Sequence, residues 1–368
     1  MRVLQVVTDT DRRGAQVFAS DLHGALEELG WDVETVALTD GHVGGLDLPA
    51  LGRGRRSPRT ILALRGRVRG ADVVIAHGST TLPVTALATI GLPCPLVYRQ
   101  VSDSLFWAPT RARRARVRAA FSRVAMVVAL WEGAARVLID RFGLPRGKVR
   151  IAPNAVRTGD WTPASHQERL TARRRLRLPP DRPVVTFAAA MAHEKGPDLA
   201  VETIAATSDA QLLMVGAGPE DRRTRALAGQ LLGDRVTFLG STRDMREVYA
   251  ATDVLLFPSR GGDSMPAVVI EAGLMGVPTV ATDTGALASM IEPDVTGRLV
   301  AGPHAGDLAR ALHPLVLDPA RRRAMGSAAH DRFLKRFDVR VVARQWAMVL
   351  DEVIGSRSTH HHAEARTG

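Results

Sequence analysis

The sequence predicts an α/β protein built from two doubly wound parallel sheets, and three observations carry that expectation. Short apolar runs alternate with helical patterns along most of the chain, the rhythm breaks once in a proline- and arginine-rich stretch at 153–180, and after Leu308 the pattern is wholly helical. Strands that alternate with helices read as a parallel sheet covered on both faces. A length of 368 residues suits two domains, each with a core of its own.

In the first half, 3–7, 33–38, 73–76, 96–98, 126–130 and 149–151 read as buried strands, with helical spacing in 15–29 and 111–121 between them. The rhythm resumes with strands at 184–188, 211–215, 236–239, 254–257, 279–281 and 298–300, followed by helices at 309–317, 320–337 and 339–354. This predicts a first domain over 1–160 and a second over 161–337, with a hinge near 154–163. The tail 356–368, with His360, His361 and His362, lacks apolar periodicity and is expected to be disordered. In two such sheets facing a cleft, ligands bind beyond the carboxyl ends of the strands.

Composition removes several classes. A single cysteine, Cys94, excludes a disulfide framework and favours a reducing compartment. The opening run MRVLQVV is too short for a secretory signal. The longest stretch free of Asp, Glu, Lys and Arg, 73–98, holds three prolines and reads as strand–helix–strand rather than a membrane span. The expected location is therefore the cytoplasm. The net charge of +11 is lopsided: residues 1–160 hold 23 basic and 14 acidic side chains, against 26 and 24 in the remainder. Seven arginines fall in 53–69 and six in 111–123, with no acid in either block. Such a half meets an anionic surface or substrate, or simply presents a solvated arginine-rich face.

The strongest constellation follows the strand at 254–257: Pro258-Ser-Arg-Gly-Gly-Asp263-Ser-Met-Pro-Ala-Val-Val-Ile-Glu271, continuing to Gly276-Val-Pro278. The glycine pair permits a tight turn, Asp263 or Ser264 is placed to cap a helix, and Pro266 suits a helix start. The N–H groups of Ser264, Met265, Ala267 and Val268, around Pro266, then form an anion site at the positive end of the helix dipole. Glu271, two turns on in an apolar helix, needs a partner, which ligand hydroxyls or an arginine would supply. A second charged turn, Met191-Ala-His193-Glu194-Lys195-Gly196, follows the strand at 184–188. Lys195 is one of only three lysines beside 46 arginines, as fits a site that needs a compact point charge.

These segments resemble retaining glycosyltransferase family 4, whose members have the two-Rossmann GT-B fold. The resemblance implies that Asp263, standing where the family usually has Glu, contacts the donor sugar and that Glu271 holds the ribose. It extends to Val149-Arg-Ile-Ala-Pro-Asn154, to the glycine turn Met214-Val-Gly216-Ala-Gly218-Pro219, and to Arg13-Gly14-Ala15-Gln16 after the first strand, where the backbone of Gly14 would approach a phosphate or the acceptor. Lys195 matches the family's diphosphate-binding lysine, but the accompanying arginine falls on Ala190, and Arg260 is the substitute considered. The family's first-domain histidine is missing from Arg99-Gln100-Val-Ser-Asp103. His77, at the end of the preceding strand, and Asp103 remain as catalytic candidates for orienting the acceptor or accepting its proton. The helices over 333–354 resemble the family's return to the first domain, giving it 338–355 as well, with Trp346, Met348, Leu350 and Val353 as apolar anchors.

The implied function is a metal-independent, retaining transfer of a hexosyl group from a nucleotide-sugar, a UDP- or GDP-sugar first, to a lipid-linked, polysaccharide or small-molecule acceptor. No metal or cofactor is expected. Asp9-Thr-Asp11 has the form of a metal-binding pair but stands in a loop without nucleotide-binding context, and no dinucleotide fingerprint, P-loop or paired Cys/His ligand set occurs. Phe106 and Trp107 before the arginine-rich helix suggest contact of the N-terminal domain with an anionic membrane at its inner face. Two alternatives stand beside this reading: a nucleotide-sugar 2-epimerase on the same fold, and a non-catalytic nucleic-acid-binding protein. The second leaves Asp263, Glu271 and Lys195 without a role, so no nucleic acid is expected as a partner.

Overall fold

The computed structural model describes residues 1–42, 45–101, 110–207 and 209–364. The chain forms two compact units, Met1–Val156 with Val339–Gly368, and Arg157–Asp338. The first holds β1 (Arg2–Asp9), α1 (Gly14–Glu27), β2 (Asp32–Thr39), β3 (Ala50–Gly52), α2 (Pro58–Val68), β4 (Val73–His77), α3 (Thr81–Ala88), β5 (Leu96–Arg99), α4 (Arg111–Phe121), β6 (Val124–Ala129), α5 (Glu132–Phe142) and β7 (Val149–Ile151). Its strands are all parallel in the order β3-β2-β1-β4-β5-β6-β7.

Strand periodicity sorts the side chains of this sheet onto two faces. Leu4, Val6, Val74, Leu96 and Tyr98 pack on the face that also holds Leu64, Phe121 and Leu138 from α2, α4 and α5. Val3, Val73, Ile75, Val97 and Val128 pack with Phe18 and Leu22 of α1 and with Trp346 and Leu350 of the last helix. That helix, numbered α14 below, runs Val339–Glu364. It therefore continues past the end expected at Ile354 and into the tail expected to be disordered, as far as Glu364. Trp346, Val349, Leu350 and Val353, at helical spacing, are buried, whereas Met348 is 65% exposed. The expectation of Met348 as an anchor is thus corrected, since residue 348 falls off the i, i+3, i+4, i+7 face.

The second unit runs through α6 (His166–Arg175), β8 (Val184–Ala188), α7 (Pro197–Ala205), β9 (Gln211–Val215), α8 (Asp221–Leu231), β10 (Val236–Gly240), α9 (Met245–Ala251), β11 (Val254–Phe257), α10 (Ala267–Leu274), β12 (Thr279–Thr282), α11 (Leu287–Met290), β13 (Gly297–Val300), α12 (Ala305–Leu317) and α13 (Pro319–Phe337). Its parallel sheet has the order β10-β9-β8-β11-β12-β13. Both units thus share a doubly wound topology, with order reversals at β1/β4 and β8/β11, the places where such sheets bind ligands. Among the described residues no helix is long and apolar enough to cross a membrane.

Candidate functional site

At the carboxyl edge of the second sheet the loops that leave β8, β9, β11 and β12 are hydrogen-bonded to one another. The Met191 N–H donates to Ala217 O at 3.0 Å, Glu220 N–H to Met191 O at 2.8 Å, Arg260 N–H to Glu194 O at 2.7 Å, and Ala286 N–H to Ser264 O at 2.8 Å. Gly216, at φ +131°, and Gly218 make this closeness possible: a Cβ on the first would stand 1.9 Å from Ala189 O, and on the second 2.5 Å from Met191 O. Any side chain there would force the loops apart.

Within this edge Lys195, at the end of the 3-10 turn His193–Lys195, forms an ion pair with Asp263 Oδ1. Ser259 Oγ donates to the other carboxylate oxygen at 2.7 Å. The two charged side chains are 19% and 15% exposed, so the pair is sheltered yet reachable. Nearby in the chain, the buried hydroxyls of Ser264, Thr282 and Thr284 have no hydrogen-bond partner.

The head of α10 differs from expectation. Neither Asp263 nor Ser264 caps it: Pro266, in an extended conformation, is the N-cap, no side chain caps the helix, and Ala267 opens it. Asp263 is engaged by Lys195 and Ser259, and the Ser264 carbonyl holds Ala286, while Met265 is buried beneath. Glu271, the fifth residue of α10, accepts from the Tyr249 hydroxyl at 3.0 Å, an oxygen that also lies 3.3 Å from Val268 O. Burial, reinforced by the Glu271 charge, pushes the Tyr249 pKa well above its ordinary value and keeps the phenol a donor. Arg260 is not a free substitute for the arginine absent at Ala190. It clamps Asp198 with two bonds of 2.9 Å and donates to His193 O at 2.8 Å, fastening the turn that carries Lys195.

The first unit presents a different edge. Thr35, Gln5, His77 and Arg99, on the neighbouring strands β2, β1, β4 and β5, form a buried polar row. Gln5 Nε2 donates to Thr35 Oγ1 at 3.1 Å and to Ala19 O at 3.0 Å, and its Oε1 lies 2.9 Å from His77 Nε2. His77 is 2% exposed, beside the Phe18 and Trp346 rings, and its Nδ1 has no partner. Burial, and then the Arg99 charge, lowers its pKa well below the ordinary value, so the ring is neutral. Expected at the edge, His77 lies in the core. Arg99 donates to Asn154 Oδ1 at 3.0 Å and stacks 3.6 Å above Phe18, with Nε and Nη1 unpartnered; burial pulls its pKa down to about 9. Gly14 opens α1, and a Cβ there would meet no atom within 4 Å. Asp103, Phe106 and Trp107 lie outside the described residues. The Asp9-Thr-Asp11 pair is engaged by cations and backbone: Asp9 accepts from Arg13, Arg55 and Gln16, each at 2.8 Å, and Asp11 from Arg13 at 2.7 Å and the His42 N–H at 2.7 Å.

Two family descriptions match the two halves: Glycosyltransferase Family 4 over residues 12–160 and Glycosyl transferases group 1 over 168–332. Each half of the chain thus matches a glycosyltransferase family. It is 31% identical over 220 residues to a GDP-mannose-dependent monoacylated alpha-(1-6)-phosphatidylinositol monomannoside mannosyltransferase of Corynebacterium glutamicum, covering 56% of this chain and 54% of that protein. It is 32% identical over 239 residues to a D-inositol 3-phosphate glycosyltransferase of Stackebrandtia nassauensis, covering 60% and 51%. The chain thus spans about half the length of these relatives. The GT-B fold is seen in solved structures such as Anabaena HepE in complex with UDP, with a TM-score of 0.85 at 20% identity over 96% of this chain and 100% of that one. Sucrose-phosphate synthase from Thermosynechococcus elongatus gives 0.83 at 21% identity over 97% and 100%.

In the second unit the structure brings Lys195 and Asp263 into contact and leaves Glu271 further along the same segment, on Tyr249. Three participants escaped the sequence. Ser259 is the second residue of the Pro-Ser pair in the motif, so its place after β11 was a usable signal. Tyr249 stands 22 residues before Glu271, a pairing only the packing of α9 near α10 creates. Arg99 was legible as a polar strand end, but not as a buried cation.

Proposed function

We propose that the protein transfers a hexosyl group from a nucleoside diphosphate sugar to a hydroxyl acceptor, with retention at the anomeric carbon and without a metal ion. The observation that carries this reading is the Lys195–Asp263–Ser259 constellation at the carboxyl edge of β8 and β11, with Glu271 on the helix that follows. On donor binding Lys195 exchanges its carboxylate partner for the diphosphate, and Asp263 turns to the sugar hydroxyls. The N–H groups around Ser264, Met265 and Ala267, at the positive end of α10, add preorganised potential for the departing diphosphate. Glu271, oriented by Tyr249, accepts from the ribose hydroxyls. Gly216 and Gly218 keep the loops close enough for the backbone to line the donor. The bond from the anomeric carbon to the phosphate oxygen breaks as the acceptor oxygen bonds to the same face, and the leaving phosphate oxygen takes the acceptor's proton.

The acceptor falls to the first unit, where Gly14 and Asp103 remain the candidates for contact, the buried His77 being out of its reach. Arg53, Arg55, Arg56 and Arg59 are exposed there, and two relatives are named for acceptors that contain an inositol phosphate, which together favour an anionic acceptor. A lipid-linked acceptor at the inner membrane face suits the same charge, and salt-sensitive flotation with anionic liposomes tests that part.

The donor reading is tested by thermal shift against UDP-, GDP-, ADP- and dTDP-sugars. A donor at 100 times its dissociation constant adds about 2.7 kcal/mol to the stability of the folded state. One nucleotide should raise Tm in the wild type and raise it clearly less in Glu271→Ala. No shift with any of the four would contradict the assignment.

A further inference from the structure

We propose that the second unit carries an accessory site for a small phosphorylated ligand, separate from the donor edge. A cavity of about 490 Å³ opens at the amino-terminal ends of β11 and β12, with Arg169, Asp253, Arg322, Arg323 and His330 in its wall. Asp253 directly precedes β11 and the Lys195–Asp263 pair follows it, so the two sites lie at opposite ends of one strand. The volume falls within the range of small-molecule sites and has room for a sugar phosphate.

The charge in this cavity is unbalanced. Asp253 forms ion pairs with Arg169 at 2.5 Å, Arg173 at 2.5 Å and Arg322 at 3.2 Å, and it is the only carboxylate among the lining residues described. Three guanidiniums and Arg323 at the mouth, set against Asp253 and against Asp318, whose charge also acts on Arg322, leave two positive charges in excess. Arg173 is fully occupied with the carbonyls of Ala251, Pro180 and Arg182 besides Asp253. Arg169 and Arg322 are the members whose side chains reach the cavity, 30% and 12% exposed. Burial, opposed by Asp253 and reinforced by the Arg169 charge, lowers the Arg322 pKa, as expected where cations outnumber anions out of water. A phosphate monoester supplies the two missing negative charges in the geometry that guanidinium groups bind best. His330 Nδ1 lies 2.6 Å from Leu274 O, a pure acceptor, which commits the ring proton there and leaves Nε2 to accept from a ligand hydroxyl. Tyr249 forms part of the wall, so a single aromatic ring separates the cavity from Glu271.

Calorimetric titration of the full chain with glucose 6-phosphate tests the proposal, with inorganic phosphate and free glucose as comparison probes. One equivalent of glucose 6-phosphate should bind, inorganic phosphate more weakly, and glucose not at all. Lys195→Ala should leave that affinity within about twofold, whereas Arg169→Gln should lower it by about tenfold or more, the loss of one charged hydrogen bond. His166 also lines the cavity and, like Arg323, is exposed, so Arg323→Ala/His166→Ala probes the mouth even where Arg169→Gln impairs folding. That double variant should weaken binding several-fold with transfer activity unchanged. No binding by the wild type at millimolar probe overturns the proposal. So does binding that Lys195→Ala abolishes while the cavity variants retain it, which would place the phosphate at the donor edge.

Discussion

Two aspartates bracket β11, and their surroundings differ in kind. Asp253, at the amino end, is 7% exposed, held by three arginines and by the Val184 N–H at 2.7 Å. Asp263, beyond the carboxyl end, has one lysine and one serine hydroxyl, on a ligand-accessible edge. The first is tied to helices and strand starts that define the fold, while the second is tied to the turns that follow β8 and β11. In a doubly wound sheet the same residue type thus serves architecture at one end of a strand and, in the function proposed above, chemistry at the other.

The comparison is broken most severely by Asp253→Asn. Removing that carboxylate strands Arg169, Arg173 and Arg322 and should cost about 3–5 kcal/mol in denaturant unfolding, with turnover of the remaining folded enzyme nearly unchanged. The Asp253 pKa lies below its ordinary value: burial raises it, but the arginines and the Val184 N–H outweigh burial. Its contribution is therefore complete above the unfolded aspartate value of about 3.9 and is lost as pH falls through the lower folded value. Wild-type stability should drop in that acid range, and the Asp253→Asn protein should lack this component.

Lys195→Ala should show the reverse pattern. Turnover falls by about 100- to 1000-fold, the scale of losing one preorganised electrostatic contact, while Tm changes little. Glu271→Ala comes next, weakening nucleotide binding by about 10- to 100-fold in equilibrium titration, as one charge-assisted hydrogen bond is worth about 1.5–3 kcal/mol. Tyr249→Phe is the mildest. It leaves Glu271 in place and removes one hydrogen bond worth about 1 kcal/mol, so nucleotide affinity should fall by about fivefold. A Tyr249→Phe effect as large as that of Glu271→Ala would mean the tyrosine itself meets the ligand.

Much of the fold was legible because buried parallel strands are written as compact apolar runs. Residues 149–151, 184–188, 211–215 and 254–257 are strands with the expected bounds. β3 was missed, being three half-buried residues at a sheet edge, held by the pairings Ala37↔Ala50 and Thr39↔Gly52 rather than by any pattern of its own. Helix ends were harder to place: α14 runs on to Glu364, beyond the apolar periodicity that marks its beginning. At the edge of the second sheet, the motif singled out Asp263 and Lys195, which the fold pairs, but local capping rules misassigned the head of α10. They weigh only neighbours in sequence, and the partner that claims Asp263 comes from a turn 68 residues away. The Tyr249 contact and the burial of His77 and Arg99 are likewise products of packing that no local spacing records.

The central claim, that Lys195 neutralises the diphosphate of a nucleotide donor, is tested most directly by calorimetric titration of wild type and Lys195→Ala. The titrants are the nucleoside diphosphate of the preferred donor and its monophosphate. The account predicts that Lys195→Ala loses at least about tenfold in affinity for the diphosphate and little for the monophosphate. Equal affinities of both proteins for the diphosphate would contradict it.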